Sequence, residues 1–203
     1  AAQFVAARLA GKPMSDLPFT PWQEETVLPY TIDEGVDRGV GADKPLLLTV
    51  TSEEFTDILA PMASELNPLN ATDVLVEGGL EDARNYLREH PRANTTSLIM
   101  GQLVSDAIFV WPAQSILQRR KETGAAHTAL YLFDWCPALD DPSVDQVQQW
   151  SRHCIDMAFA FDLLEEPMAT PLVGTTPRQN LADDFHGQWL AFIKGKDVPG
   201  TSD

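Results

Sequence analysis

Cations are scarce in this chain. Lysine and arginine number 14 against 30 aspartates and glutamates in 203 residues, for a formal net charge of −16. Phosphate backbones and anionic bilayers are held by cationic surface, so neither nucleic acid nor a membrane is an expected partner. Cysteine is equally sparse. Cys136 and Cys154 form no Cys-x-x-Cys pair and frame no disulfide scaffold, which makes a cytoplasmic protein the plain expectation. No apolar run approaches a membrane span. No signal peptide opens the chain: Ala1-Ala2-Gln3-Phe4 lacks an initiating methionine and enters what reads as a helix in progress, as a cut would leave it. His90, His127 and His186 lack metal-ligand partners at useful spacing, and Gly78-Gly79 is too short to cradle a phosphate, so no metal and no cofactor is expected. The last absence concerns chemistry. Gly-x-Ser-x-Gly occurs nowhere, so there is no recognisable elbow to present a nucleophilic serine.

What is present suffices for a core. The chain is 44% hydrophobic and long enough for one domain or most of one. Residues 1–10 read as helix, closed by Gly11 and Pro13. Residues 13–45 carry five prolines and little periodicity, and read as long irregular structure. Leu46 to Val50 is a continuous apolar, β-branched run that suits a strand buried on both faces of a parallel sheet. A helix is expected to follow at once and to end near Met62 to Asn67. Gly79 to Glu89 reads as a short helix closed by His90-Pro91.

Ser97 to Arg120 reads as long and mostly helical, with Leu103, Ala107, Val110 and Trp111 on one face and a kink or restart at Pro112. Thr128 to Trp135 has strand composition, and residues 137–150 read as an acidic loop. A final helix is expected to be capped by Thr176, with Pro177 at its first position and Gln179 completing a capping box. Its buried stripe would be Leu181, Phe185, Trp189, Phe192 and Ile193, and Gly195 would stop it. Two strands cannot make a self-sufficient sheet, and helices with aromatic stripes need a layer to rest on. A large apolar face is therefore expected to pack against another polypeptide.

Two places could carry chemistry. His153 lies in Arg152-His153-Cys154-Ile155-Asp156-Met157-Ala158-Phe159-Ala160-Phe161, a semi-buried apolar run with a polar break at Asp156. Imidazole titrates near working pH and can take a proton from a hydroxyl nucleophile. The plainer reading is a loop histidine making one structural hydrogen bond. Glu54 stands just past the Leu46 to Val50 strand, where open α/β sheets gather their sites. A carboxylate there can hold the imidazole tautomer and stabilise the imidazolium. Thr51-Ser52-Glu53-Glu54 is also a capping box, and Glu53 competes with Glu54 as the acid. Cys154 beside His153 is not expected to form a Cys–His pair, because adjacent side chains point apart.

These pieces share an order. Pro21 through Val27-Leu28-Pro29 resembles a stretch written Pro-x-x-Asp-Gly-x-x-Leu-Pro, with Glu24-Glu25 where Asp-Gly is common. Pro45 to Glu54 resembles a strand and turn that deliver a triad acid. Asp106-Ala107-Ile108-Phe109-Val110-Trp111-Pro112 resembles an Asp-x-x-Phe-x-x-Pro helix. Tyr131 to Trp135 resembles the strand before a histidine loop. His153 to Phe161 resembles His-x-x-Glu/Asp-x-x-Phe-x-Phe. Leu181 to Phe192 with Gly195-Lys196-Asp197 resembles a closing helix and its turn.

Together they resemble the C-terminal part of a type B carboxylesterase, the family of bacterial para-nitrobenzyl esterases and cholinesterases. The resemblance implies an α/β fold: residues 1–203 would be the C-terminal portion of a single α/β-hydrolase domain, helix-rich with few strands. It implies ester hydrolysis by a Ser-His-Glu triad, with Glu54 as acid and His153 as base. The serine and oxyanion hole would come from an absent N-terminal half of the same protein, or from a second copy. The substrate would be a small uncharged ester, and the isolated chain would be inactive. Asp156 would shape the histidine loop, Trp150 would line or plug the gorge, and Phe109 is a candidate pocket wall. The other class is a non-catalytic binding or structural module built on the same fold.

Overall fold

The computed structural model describes residues 23–196. In chain order the elements are α1 (Ile32–Asp37), β1 (Leu46–Thr51), α2 (Ala63–Leu66), α3 (Ala71–Glu77), α4 (Ala83–Glu89), α5 (Thr96–Ser105), α6 (Trp111–Glu122), β2 (Thr128–Phe133), α7 (Ile155–Ala160), α8 (Thr170–Val173) and α9 (Gln179–Ile193). The fold is mixed α/β and helix-rich, with one small parallel sheet. The described residues divide into two compact units, 23–31 with Phe55–Ala107, and Ile32–Glu54 with 108–196. Among the described residues no helix is long and apolar enough to cross a membrane.

The unit that holds Ile32–Glu54 and Ile108 onward contains the sheet. β1 and β2 pair in parallel register from Leu46 opposite Thr128 to Thr51 opposite Phe133. On one side of β2 an aromatic cluster forms the core: Phe133 and Trp135 meet Phe159 of α7 with ring centroids 5.1 and 4.8 Å away, and Phe133 meets Phe185 of α9 at 5.2 Å. Phe159 is wholly buried, which alone stabilises by about 2–3 kcal/mol. The expected burial of β1 on both faces is not found. Leu46 to Val50 are half-buried, because among the described residues each strand has one neighbour and one open edge.

The unit that holds Phe55–Ala107 is helical. Asn70, Asp82 and Thr95 cap α3, α4 and α5 by accepting from the amides of Asp73, Asn85 and Leu98. Its core gathers Leu66, Leu75, Ile99, Met100 and Leu103. Backbone approaches backbone at Gly101 of α5, where an added Cβ would lie 2.1 Å from the Thr56 carbonyl oxygen. The Phe55–Thr56 turn is seated there by two bonds, Phe55 N–H to Ser105 Oγ at 2.7 Å and Thr56 Oγ1 to Gln102 Oε1 at 2.5 Å.

Several elements differ from expectation. Within 13–45 the short helix α1 forms. Asp37 and Asp33 meet Arg119 of α6 at 2.6 and 4.0 Å, a tie that local periodicity does not announce. No helix follows β1 at once; turns run from Ser52 to Leu59, and α2 begins at Ala63. The long helix from residue 96 is broken as foreseen, by one wide turn at Asp106–Val110. Pro112 has no N–H for the carbonyl four residues back and would clash with it, and a wide turn accommodates both. Trp111, expected on the buried face, is 39% exposed.

The closing helix starts at Gln179, not Pro177, and Thr176 does not cap it. Arg178 is held extended by its ion pair with Asp140, and Gln179 Nε2 reaches Asp162 and Asp183 instead of turning back. Ile193, expected in the stripe, is 70% exposed, while Ala182 is buried in its place. Gly195 does end the helix, in the left-handed region at φ +69°. The expected helix over residues 1–10, the Pro21 end of its motif and Asp197 lie outside the described residues.

Candidate active site

The ends of β1 and β2 build the site. Beyond the last sheet pair, Ser52 N–H donates to the Phe133 carbonyl at 2.9 Å, so the acid-bearing turn stays attached to β2. The chain then pairs with the segment before α7. Glu53 N–H donates to Ser151 O at 3.1 Å, and His153 N–H donates to Glu54 O at 3.2 Å. Residues 53 and 54 thus lie against residues 151–153 through backbone bonds, across a hundred residues of sequence.

The side chains complete the contact. Glu54 Oε2 lies 2.6 Å from His153 Nδ1. Glu54 Oε1 accepts from Thr51 N–H at 3.2 Å. One carboxylate oxygen is therefore fixed by the end of β1 and the other faces the imidazole. Glu54 is 8% exposed, whereas the His153 side chain is 55% exposed. A proton on Nδ1 donated to the carboxylate leaves the lone pair on Nε2, which is the tautomer a general base needs. The local bond foreseen for Glu54 exists as well, but it runs back to β1 and caps no helix.

Glu53 does not compete for the imidazole. Its Oε2 accepts from Ser151 N–H at 2.8 Å. Ser151 is wholly buried, and its hydroxyl donates to the Phe133 carbonyl at 2.7 Å. No motif announced Ser151; its only sequence signal was a small hydroxyl residue two places before the histidine.

His153 passes directly into α7 because Cys154 adopts a left-handed conformation at φ 68° and reverses the chain. Burial first, then the Asp156 and Glu54 carboxylates, push the Cys154 thiol above its ordinary value, so it stays a thiol and not a nucleophilic thiolate. Asp156 is pushed up by burial first and by Glu54 second. The Phe109 ring lies 6.0 Å from the His153 ring, tilted by 44°. Trp150 is buried at 8% exposure.

The histidine loop is pinned at several further points. Trp135 Nε1 donates to Asp140 Oδ2 at 2.9 Å, and Arg178 Nε reaches the same carboxylate at 2.8 Å. Cys136 Sγ contacts Gln149 O at 3.3 Å, and Gln148 Nε2 donates to Thr170 O at 3.1 Å.

A second histidine–carboxylate pair, missed in the sequence, lies in the helical unit. His90 Nε2 is 3.4 Å from Asp106, which also accepts from Tyr86 OH at 2.5 Å and from Gln102 Nε2 at 3.0 Å. Among the described residues, no group of three or more histidines, cysteines and acids is placed to hold a metal ion. Compared with known protein families, the chain matches no family model.

Proposed function

We propose that this chain supplies the acid and the base of a serine carboxylesterase. The observation that carries the reading is the contact between Glu54 Oε2 and His153 Nδ1, made by a residue just past β1 and a residue at the end of the loop that follows β2. A carboxylate that is buried and tied to backbone holds one imidazole tautomer. The imidazole is half-exposed, as a base must be to meet a nucleophile from elsewhere. The order of motifs resembling type B carboxylesterases supports the same reading, and so does the parallel pairing of the strands before each residue.

In this reaction a serine hydroxyl attacks the ester carbonyl while His153 Nε2 takes its proton. Glu54 stabilises the imidazolium that results. His153 returns the proton to the leaving alkoxide, and water then resolves the acyl-enzyme by the same route. The serine and the oxyanion donors belong to a second polypeptide, the N-terminal half of the same protein. Edges left open among the described residues, and exposed apolar side chains at Leu132, Met157 and Phe161, support a partner that covers them. The substrate is a small uncharged ester.

A fluorophosphonate probe and a short-chain nitrophenyl ester test the reading. The chain alone is expected to take no label and to turn over no ester beyond a His153→Ala control. Assembled with the serine-bearing polypeptide, it is expected to support labelling of the partner's serine. His153→Ala or Glu54→Gln should then cut turnover by roughly 10³–10⁴-fold. Assembled turnover that survives His153→Ala would make the chain a non-catalytic module on the same fold.

A further inference from the structure

Glu53 is a carboxylate beside the proposed acid–base pair, and its side chain bonds to the loop that carries the imidazole. Its Oε2 takes the Ser151 N–H at 2.8 Å, its own N–H goes to Ser151 O at 3.1 Å, and Ser151 Oγ closes on the Phe133 carbonyl at 2.7 Å. Phe133 O is also where Ser52 N–H lands at 2.9 Å. The end of β2, the turn after β1 and the segment before His153 are thereby joined at one residue, Ser151, which is wholly buried. Two residues later the His153 ring meets Glu54.

We propose that Glu53 is a positioning residue, which latches Ser151 and so holds the His153 ring in the Nδ1-to-Glu54 orientation that leaves Nε2 as the basic nitrogen. This rests on Glu54 and His153 being the acid and the base. The physical need is plain. His153 is followed by a left-handed residue and its side chain is half-exposed, so the loop before it has a large share in setting where the ring lies. A carboxylate accepting a backbone N–H makes a charge-assisted bond, about twice as strong as a neutral one. Placed two residues before the histidine, that bond sets where the histidine backbone begins. A base displaced by an ångström loses much of its rate, so a latch of this kind matters to chemistry as well as to folding.

The test uses the 203-residue chain labelled with ¹⁵N, because imidazole nitrogen shifts report which nitrogen of His153 carries the proton. The wild-type chain should show His153 protonated on Nδ1, with that proton far downfield from its bond to Glu54. Glu53→Asp keeps the charge but withdraws the acceptor from Ser151, and should shift the tautomer ratio about tenfold toward Nε2–H, with the downfield signal weakened. Glu53→Gln retains an oxygen acceptor at full reach and should restore most of the wild-type ratio. Glu53→Ala should resemble Glu53→Asp; should it fail to fold, the Asp and Gln pair still decides. A tautomer ratio unchanged in Glu53→Asp overturns the latch. Glu54→Gln serves as the reference: it must remove the downfield signal, and if it does not, the Glu54–His153 pairing fails independently of Glu53.

Discussion

The two histidine–carboxylate pairs use similar residues to different ends. In the sheet-bearing unit Glu54 gives one oxygen to the Thr51 amide and the other to His153 Nδ1 at 2.6 Å. In the helical unit Asp106 gives one oxygen to Gln102 and the other to Tyr86 OH at 2.5 Å, and His90 stands at 3.4 Å. The carboxylate of the second pair is already satisfied by donors in its own core. The His90 ring also lies against Tyr86, ring centroids 4.4 Å apart and tilted by 48°, one helical turn along α4. The first histidine side chain is 55% exposed, with the Phe109 ring 6.0 Å from its own. A carboxylate that meets an imidazole, with the ring half-exposed, fits the proposed base; one that holds a phenol and an amide fits a structural anchor.

The largest expected effect that sharpens this contrast is on stability. Asp106→Ala removes the acceptor of the Tyr86 hydroxyl and of the Gln102 amide, both buried, and should cost roughly 2–4 kcal/mol by urea unfolding. His153→Ala removes a half-exposed ring and should cost under about 1 kcal/mol. The activity of the assembled protein should respond in the reverse order, with Asp106→Asn close to wild-type turnover. If His153→Ala proves the more destabilising of the two, the contrast between anchor and base collapses.

The pH dependence of stability separates the units next. Burial first pushes the Asp106 carboxyl above its ordinary value of 3.8, against the lowering by Tyr86, His90 and Gln102. Tyr86 is pushed up in turn, by burial first and then by Asp106. A raised native value means the folded state holds the proton more tightly. That stability is fully present below the unfolded value and is lost as pH rises through the native one. Asp140 has the opposite sign. Its hydrogen bond from Arg178 leads in holding it below 3.8, so its contribution is present above the unfolded value and fades as pH falls through the native one. Asp106→Asn should therefore gain stability relative to wild type as pH is raised above about 4, and Asp140→Asn should lose stability relative to wild type as pH is raised toward about 4 from below. Urea midpoints across pH check both. A parallel drift of the two variants would show that neither carboxylate carries its assigned sign.

Much of this contrast could be read from residue order, and part of it could not. The Leu46 to Val50 run announced β1, Pro112 announced an irregularity in the long helix, and the acid just past a strand announced the side chain that meets His153. What escaped was whatever depended on partners far along the chain. Glu53 and Glu54 are indistinguishable in sequence; Ser151 and Thr51 tell them apart by the amides they present. Asp106 read as one letter of a helix motif, and only the fold puts Tyr86 and His90 beside it. Thr176 offered a good local cap and lost to an ion pair between Arg178 and Asp140, 38 residues apart. Asn70 did announce α3, through the same cap chemistry, and passed unread beside stronger signals.

The smallest expected effect concerns the joint behind the base. His90 sits in an unstrained stretch at the end of α4, whereas His153 is followed by Cys154 at φ 68°. A side chain in the left-handed region costs about 1–2 kcal/mol, which glycine would relieve. Glycine also raises the entropy of the unfolded chain, by roughly 0.4–1 kcal/mol, and gives up a half-buried thiol. These terms nearly cancel, so Cys154→Gly should change stability by less than about 0.5 kcal/mol and leave the His153 Nδ1 bond intact. Cys154→Val places a β-branched side chain where it fits worst, and should cost about 1–2 kcal/mol more than the glycine variant. Thermal unfolding of the two variants measures the difference. If valine is tolerated as well as glycine, the left-handed turn is not what sets His153 in place, and the work falls to the Ser151 side of the loop alone.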